Sequence, residues 1–232
     1  MHSHVLPGVD DGSDSLLTSL TMLKTAIESG VTDMILTPHY VPGRAHRKET
    51  LFSQFEKLNE AKDRQGLPID LYLGNEVFCH EGMENDLKDG KILTMNGTNR
   101  VLVEFFPGAA GATIRNAVMT LSASGFVPIL AHVERYEYVV SHADEIGILK
   151  STGALIQVNA GTFLGHMGPA AKRFAERAVE EELVDFIGSD AHDVGRRTTR
   201  VSEAVQLLYR KFDPEYVRAI TYDNTRSLLG KS

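Results

Sequence analysis

The sequence predicts an α/β protein built on parallel strands. Short runs rich in Val, Ile and Leu alternate with longer segments of helical periodicity, which is the pattern of repeated βα units. Histidine, aspartate and glutamate side chains follow the ends of these runs, where α/β sheets collect their functional groups. The length of 232 residues suits one α/β barrel. Periodicity alone leaves a closed barrel and an open doubly wound sheet as alternatives.

The apolar runs predict about seven strands, of which the first is cut short before His4. The other strands are predicted over residues 33–39, 67–77, 100–106, 126–132, 154–159 and 184–190. Helices are predicted over residues 15–29, 48–65, 112–124, 143–151, 169–182, 202–212 and 214–229. Pro169 suits a helix start, because the first helical N–H has no intrahelical partner.

Composition narrows the class of protein. Hydrophobic residues make up 42% and charged residues 24%, as in an ordinary globular protein. The net charge of -7 argues against nonspecific nucleic-acid binding, although a local basic patch stays open. Cys79 is the only cysteine, so the chain forms no internal disulfide. The start of the sequence does not resemble a signal peptide, and no apolar run approaches the ~18 residues of a membrane span. We therefore expect a cytoplasmic protein of undetermined oligomeric state.

Histidines and carboxylates stand at or just after the predicted strand ends. They are His2, His4, Asp11, His39, Glu76, Glu104, His132, Asp190 and His192. Imidazole nitrogen and carboxylate oxygen together suit Zn, Mn or Fe. Nine ligands are too many for one ion, so the set predicts two or three divalent ions.

Each of these motifs has a plainer interpretation when taken alone. The pair His2 and His4 could be exposed near the terminus, Glu104 could be a buried carboxylate with a local partner, and residues 188–192 could be a turn and helix cap. Their coincidence at the ends of successive strands favours a shared site, because that position is where βα units converge.

The motifs resemble the PHP superfamily, named for polymerase and histidinol phosphatase domains. Within it the chain is similar to bacterial capsular and exopolysaccharide protein-tyrosine phosphatases of the CpsB/CapC/YwqE type. The resemblance runs from His2 to the end of the chain and is carried by HSH at 2–4, DDG at 10–12, TPH at 37–39, GNE at 74–76, LVEF at 102–105, AHVERY at 131–136 and SDAH at 189–192. It implies a single domain over 1–232 with a distorted (β/α)7 TIM-like barrel and a trinuclear metal site, for which manganese is favoured.

The resemblance also implies roles for individual residues. One ion would be held by His2, His4, Glu76 and Asp190. A second would be held by Glu76, as a bridge, with Glu104 and His132. The third would be held by Asp11, His39 and His192. Arg135 and Arg196 would bind the phosphate, with Arg197 as a rival because the stretch after His192 is one residue shorter than in relatives.

The implied activity is hydrolysis of phosphotyrosine by attack of metal-bound hydroxide, with the tail of a bacterial tyrosine autokinase as the substrate. A cysteine phosphatase would need an Arg six positions after its nucleophile, but six positions after Cys79 stands Asn85. Two alternatives stay open. One is another PHP phosphoesterase, acting on histidinol phosphate or a phosphodiester. The other is a noncatalytic, metal-stabilised module that binds the kinase.

Overall fold

Short strands and longer helices alternate along the computed structural model, which describes residues 1–142 and 144–231. Ala143, the first residue of one predicted helix, and Ser232, the last of the predicted domain, lie outside the described residues. The chain forms two compact units. Unit 1 comprises Met1–Thr98 and Ser189–Ser202, and unit 2 comprises Asn99–Gly188 and Glu203–Ser232.

The strands of unit 1 form parallel pairs. They are β1 (Asp33–Leu36), β2 (His39–Tyr40), β3 (Asp70–Leu73) and β4 (Glu76–Phe78). Strand β1 pairs with β3, whereas β2 pairs with β4 and sets His39 in register with Glu76. The short β2–β4 ladder therefore places two predicted metal ligands beside each other.

Two predicted strands are interrupted, so their prediction as continuous strands was wrong. The strand predicted over 33–39 breaks at Thr37, whose N–H donates to O of Ser3 (2.8 Å), and at Pro38, which has no N–H to donate. The strand predicted over 67–77 breaks at Asn75, whose N–H donates to O of Leu93 (3.0 Å). Before His4, the expected strand is reduced to an isolated parallel bridge between Ser3 and Ala191.

The helices and strands of unit 1 share an apolar core. They are α1 (Leu16–Glu28), α2 (Lys48–Arg64) and α3 (Met83–Lys88), with a 3₁₀ turn at Met95–Gly97. Helix α1 begins after Ser15, whose side chain accepts a hydrogen bond from N–H of Thr18 and so caps the helix. The core includes Val5, Leu6, Leu20, Leu23, Met34, Leu36, Leu58 and Leu73. The start of the chain is thus packed inside the unit.

A parallel sheet forms the centre of unit 2. Its strands run in the order β5 (Arg100–Glu104), β6 (Val127–Leu130), β7 (Leu155–Asn159) and β8 (Phe186–Gly188). Leu102 is in register with Ile129, and Val158 with Ile187. Leu102, Ile129 and Val158 are fully buried, as expected for a parallel sheet with both faces covered.

Unit 2 carries more helices than the sequence predicted. They are α4 (Gly111–Ala123), α5 (Glu137–Ser141), α6 (Glu145–Ser151), α7 (Ala160–Phe163), α8 (Gly168–Glu180), α9 (Ser202–Lys211), α10 (Pro214–Arg218) and α11 (Asn224–Leu228). Three short helices were missed, α3 in unit 1 and α5 and α7 in unit 2, because they have too few turns to show a helical period. The last predicted helix is interrupted by a π-helical turn at Ala219–Asp223. Across the described residues, no helix combines the length and apolar character that crossing a bilayer requires.

Candidate metal centre

Backbone hydrogen bonds fix the segment from His2 to His4 inside unit 1. O of His2 accepts from N–H of Asp190 (3.0 Å), and N–H of His4 donates to O of Ala191 (2.9 Å). Ser3 donates its hydroxyl to O of Ile35 (3.0 Å). His2 and Asp190 have φ angles of 65° and 49°, so both lie in the left-handed region. These angles place both ligands in turns and not in regular strands.

Four buried side chains of unit 1 bring their donor atoms to one place. The atoms belong to His2, His4, Glu76 and Asp190 and lie within 4.8 Å of one another. Oε2 of Glu76 is 3.2 Å from Nε2 of His2 and 3.1 Å from Nε2 of His4. Oδ1 of Asp190 is 3.5 Å and 3.6 Å from the same two nitrogens. We name these four residues cluster A.

A second group of donors lies next to cluster A and is more exposed. It consists of His4, Asp11, His39 and His192, again within 4.8 Å of one another, and we name it cluster B. Oδ1 of Asp11 is 3.4 Å from Nε2 of His39 and 3.5 Å from Nε2 of His192. Nδ1 of His39 is also 3.2 Å from Oε2 of Glu76. Glu76 therefore faces ligands of both clusters, which is the position of a carboxylate that joins two cations.

The donor set fits divalent ions. Burial alone lowers the pKa of His4, but its hydrogen bonds with Asp10 and Glu76 raise it to about 10, so the carboxylates favour a positive charge at this place. Burial and the neighbouring His4 lower the pKa of His192 to about 4, which keeps its imidazole neutral and able to coordinate. A divalent ion can supply the positive charge without a proton on His4.

Asp10 is a site residue that the sequence analysis missed. Its Oδ2 is 2.7 Å from Nδ1 of His4 and accepts a hydrogen bond from N–H of His39 (3.1 Å). Its Oδ1 accepts from N–H of Gly12 (3.0 Å). Burial alone raises the pKa of Asp10, but the bond with His4 brings it down to about 2. The available signal was its place in the DDG motif, because ligating histidines commonly donate their second N–H to a carboxylate.

The two candidate arginines of unit 1 have different surroundings. Nη2 of Arg197 is 2.8 Å from Oδ2 of Asp190, whose side chain is buried. Arg196 is exposed, and its N–H donates to Oδ1 of Asp193 (2.6 Å). Arg197 therefore holds a candidate ligand, while the side chain of Arg196 is turned to solvent.

The remaining predicted ligands belong to unit 2. Nε2 of His132 is 3.4 Å from Oε1 of Glu104. His132 has a φ of 33° at the start of the 3₁₀ turn Val133–Arg135, and its N–H donates to Oε1 of Gln157 (2.9 Å). Arg135 lines the same cavity of unit 2 as Glu104 and His132. Glu76 belongs to unit 1, so its role as a bridge to Glu104 and His132 stays a prediction.

Glu134 is a second residue that the sequence analysis did not assign. Its Oε1 accepts from N–H of Asn159 (2.9 Å) and from the hydroxyl of Thr162 (2.8 Å). Burial raises the pKa of Glu134 to about 7. These bonds tie the turn that carries His132 and Arg135 to the end of β7.

Three further histidines and the cysteine belong to neither cluster. His142 and His166 are exposed. Nε2 of His80 is 3.1 Å from Oδ2 of Asp86. Cys79 is a free thiol, and burial raises its pKa to about 11. Among the described residues, none of these four belongs to a group that could hold a metal ion.

Comparison with known proteins finds relatives along nearly the whole chain. The family model described as capsular polysaccharide synthesis, CpsB/CapC, matches residues 1–230. The tyrosine-protein phosphatase YwqE of Bacillus subtilis is 29% identical over 230 residues, which are 99% of this chain and 90% of the relative. The tyrosine-protein phosphatase CpsB of Streptococcus agalactiae serotype V is 28% identical over 235 residues, 99% of this chain and 97% of the relative.

The fold of the chain is also similar to that of a solved structure. It is described as YwqE from Bacillus subtilis and CpsB from Streptococcus pneumoniae, metal-dependent tyrosine phosphatases. It matches with a TM-score of 0.92 and 28% identity over 100% of this chain and 94% of that chain. This likeness confirms the predicted fold class, the α/β fold of the PHP superfamily.

Proposed function

The chain belongs to the CpsB/CapC family of capsular polysaccharide synthesis, and from this membership we propose that it is a metal-dependent protein-tyrosine phosphatase. The observation that carries the proposal is the convergence of His2, His4, Glu76 and Asp190 on one buried point of unit 1. The relatives named tyrosine-protein phosphatases cover 99% of the chain, and their 28–29% identity runs through both compact units.

Two or three divalent ions complete the proposed site. Cluster A and cluster B would each hold one ion, and Glu104 with His132 would contribute to a third. When bound, such ions would neutralise a phosphate dianion and would bring the pKa of a coordinated water toward ~7. Manganese is the favoured candidate because the resemblance to the PHP superfamily implies it. Iron and zinc are alternatives, since all three metals accept mixed imidazole and carboxylate ligands.

The protein's own residues orient this chemistry. Asp10 holds the ring of His4 through Nδ1 and so directs Nε2 toward Oε2 of Glu76 and Oδ1 of Asp190. Arg197 engages Oδ2 of Asp190 and leaves Oδ1 facing His2 and His4. We propose that Arg135 and Arg196 contact the equatorial phosphate oxygens, because a guanidinium can bind two oxygens in parallel. In this scheme the arginines bind the charged phosphate oxygens, and no side chain becomes phosphorylated.

The scheme needs no protein nucleophile. A phenolate leaving group has a pKa near ~10, so it departs with less acid assistance than an alkoxide does. Cys79 is a poor nucleophile, since its pKa of about 11 leaves little thiolate at neutral pH.

We further propose that the substrate is a phosphorylated tail of a bacterial tyrosine autokinase that controls polysaccharide synthesis, in the cytoplasm. The description of the family as capsular polysaccharide synthesis supports this substrate. The single cysteine of the chain agrees with a reducing compartment.

A substrate panel tests the proposed function. The purified protein would be assayed on a phosphotyrosine peptide, a phosphoserine peptide and histidinol phosphate, before chelation, after chelation, and after return of Mn, Fe or Zn. We expect hydrolysis of the phosphotyrosine peptide to dominate, to stop on chelation and to return with at least one metal. A metal-loaded protein that hydrolyses none of the three would contradict the enzyme, and preference for histidinol phosphate would contradict the tyrosine substrate.

A further inference from the structure

Unit 2 contains a cavity that the metal chemistry does not by itself explain. Its volume is about 510 Å³, within the usual range of small-molecule sites. The cavity lies entirely among residues of unit 2, between the end of β5, the turn after β6, helix α5 and the start of helix α8. All of the residues that line the cavity therefore belong to one compact unit of the protein.

The lining of this cavity combines two kinds of surface. Glu104, His132 and Arg135 contribute candidate metal ligands and a cationic group. Glu134 and Glu137 also line the cavity, and Oε1 of Glu134 accepts hydrogen bonds from N–H of Asn159 and the hydroxyl of Thr162. Apolar side chains form the rest of the lining and belong to Phe105, Pro107, Val140, Met167, Ala170 and Ala171. With cations held at Glu104 and His132 beside Arg135, a ligand that fits both surfaces would carry an anionic end and an apolar body.

Part of the apolar lining is rigid. Phe105 is only 3% exposed, and its ring packs edge-on against Tyr136 with centroids 5.7 Å apart. The hydroxyl of Tyr136 accepts from N–H of Phe105 (3.2 Å) and donates to O of Ala131 (2.7 Å). These bonds lock the ends of β5 and β6 together beside the cavity. The apolar surface is thus formed before a ligand arrives.

Another part of the lining is exposed at the start of α8. Met167 is 42% exposed and stands directly before this helix, and Ala170 is an exposed residue of its first turn. An exposed thioether beside a cavity is well suited to an aromatic partner, because sulfur–ring contacts are favourable.

We propose that this cavity binds the phenyl ring of phosphotyrosine, and that Met167 and Ala170 determine the preference for aryl over alkyl phosphate esters. The inference rests on the proposed function and adds the place of ring recognition to it. The ring would lie against Phe105, Val140 and Met167 while the phosphate is directed toward Glu104, His132 and Arg135. Phosphoserine has no ring, so its ester would leave the apolar surface uncovered and would forfeit that binding.

Filling the cavity from its exposed side tests the proposal. The variant Ala170→Trp places a large side chain at the first turn of α8. Its matched control is Ala112→Trp, an exposed alanine in the first turn of α4 that does not line the cavity. Each variant would be assayed for kcat/KM on a phosphotyrosine peptide and for inhibition by inorganic phosphate, with metal content and melting temperature measured alongside.

The proposal predicts a selective effect. Ala170→Trp should lower kcat/KM on the phosphotyrosine peptide by about 10–100-fold, the range over which apolar pockets discriminate, and leave phosphate inhibition and metal content unchanged. Ala112→Trp should change none of these values. An equal effect of the two variants, no effect of Ala170→Trp, or a parallel loss of phosphate inhibition would overturn the proposal.

A second pair of variants tests the proposal without adding a larger side chain to the cavity. Met167→Gln exchanges the thioether for a polar side chain of similar length, and Met119→Gln does the same at a 48% exposed methionine of α4. Only Met167→Gln should reduce the ratio of phosphotyrosine to phosphoserine hydrolysis. An unchanged ratio would count against Met167. A wild-type protein that hydrolyses no phosphotyrosine peptide would instead remove the proposed function, and this inference with it.

Discussion

Oδ2 of Asp10 lies 2.7 Å from Nδ1 of His4, and this contact orients the one histidine that belongs to both ligand clusters. Both side chains are buried, with exposures of 0% for His4 and 5% for Asp10. A carboxylate on the far nitrogen fixes the tautomer of a ligating imidazole and increases its basicity. Asp10 therefore supports the candidate metal centre, although its oxygens face His4 and two backbone N–H groups.

The first prediction concerns that contact. Asp10→Asn removes the charge behind His4 while keeping the shape of the side chain, so metal affinity should fall about 10–100-fold. The measurement is metal content after dialysis against graded chelator concentrations. Asp89→Asn, at a side chain that is 61% exposed, is the control and should bind metal like the wild type. Equal metal affinity in the two variants would show that Asp10 does not support His4.

The second prediction separates the two neighbouring arginines. Arg197→Ala removes the partner of a buried carboxylate, so it should weaken metal binding about tenfold, as other changes behind metal ligands do. Arg196→Ala should leave metal content unchanged and raise KM for phosphotyrosine peptides. Metal analysis and steady-state kinetics on both variants distinguish these effects. The assignment is reversed if Arg196→Ala loses metal and Arg197→Ala changes only KM.

The third prediction concerns Cys79. Because burial raises its pKa from 9.0 to about 11, the thiolate fraction at pH 8 should be about 100-fold below that of an unburied thiol. Alkylation by iodoacetamide should be correspondingly slow and should accelerate as the pH rises toward 11. Cys79→Ser should keep most of the phosphatase activity. Loss of activity in a folded, metal-loaded Cys79→Ser protein would contradict a mechanism without a cysteine nucleophile.

The fourth prediction concerns Gly12. A Cβ at this position would lie 2.2 Å from O of His4 and 2.4 Å from Cβ of His4, so Gly12→Ala must displace the backbone that carries this ligand. We expect a loss of about 1–3 kcal/mol in the free energy of unfolding, together with weaker metal binding. Denaturant unfolding measures the first effect and metal analysis the second.

Gly147 provides the control for Gly12. It lies in helix α6, and a Cβ there would meet no atom within 4 Å. Gly147→Ala should therefore stabilise the protein by up to ~1 kcal/mol through its helix propensity. A neutral Gly12→Ala variant would show that the backbone around His4 can relax.

The fifth prediction concerns the ligands themselves. Asp190→Ala removes a member of cluster A, and His132→Ala removes the partner of Glu104 in unit 2. Both should reduce phosphotyrosine hydrolysis to background. Metal content should fall by different amounts if the two residues serve different ions. If the His132→Ala variant still hydrolyses phosphotyrosine, the ions that activity requires are bound within unit 1.

The sequence located the long regular elements well. Predicted helices at 15–29, 48–65 and 112–124 correspond to α1, α2 and α4 with ends shifted by only one residue. These segments have enough turns for the helical period of apolar residues to be evident. Pro38 was a readable sign of the first division, because proline has no N–H to donate to a strand ladder. The division at Asn75 could not be predicted, because its N–H donates to Leu93, which is distant in sequence.

By itself, the sequence determined which chemical groups are available: histidines and carboxylates after apolar runs, in the order that the PHP superfamily shares. The superfamily resemblance implied how these groups assemble, but only the tertiary structure decided the contacts that hold them in place. His2 and Asp190 converge through turns with positive φ and backbone hydrogen bonds between segments that are far apart in the sequence. The roles of Asp10 behind His4 and of Arg197 behind Asp190 follow from the same long-range packing. Residue spacing along one segment records local periodicity and carries no information on such contacts, because these depend on how the whole unit closes around its core.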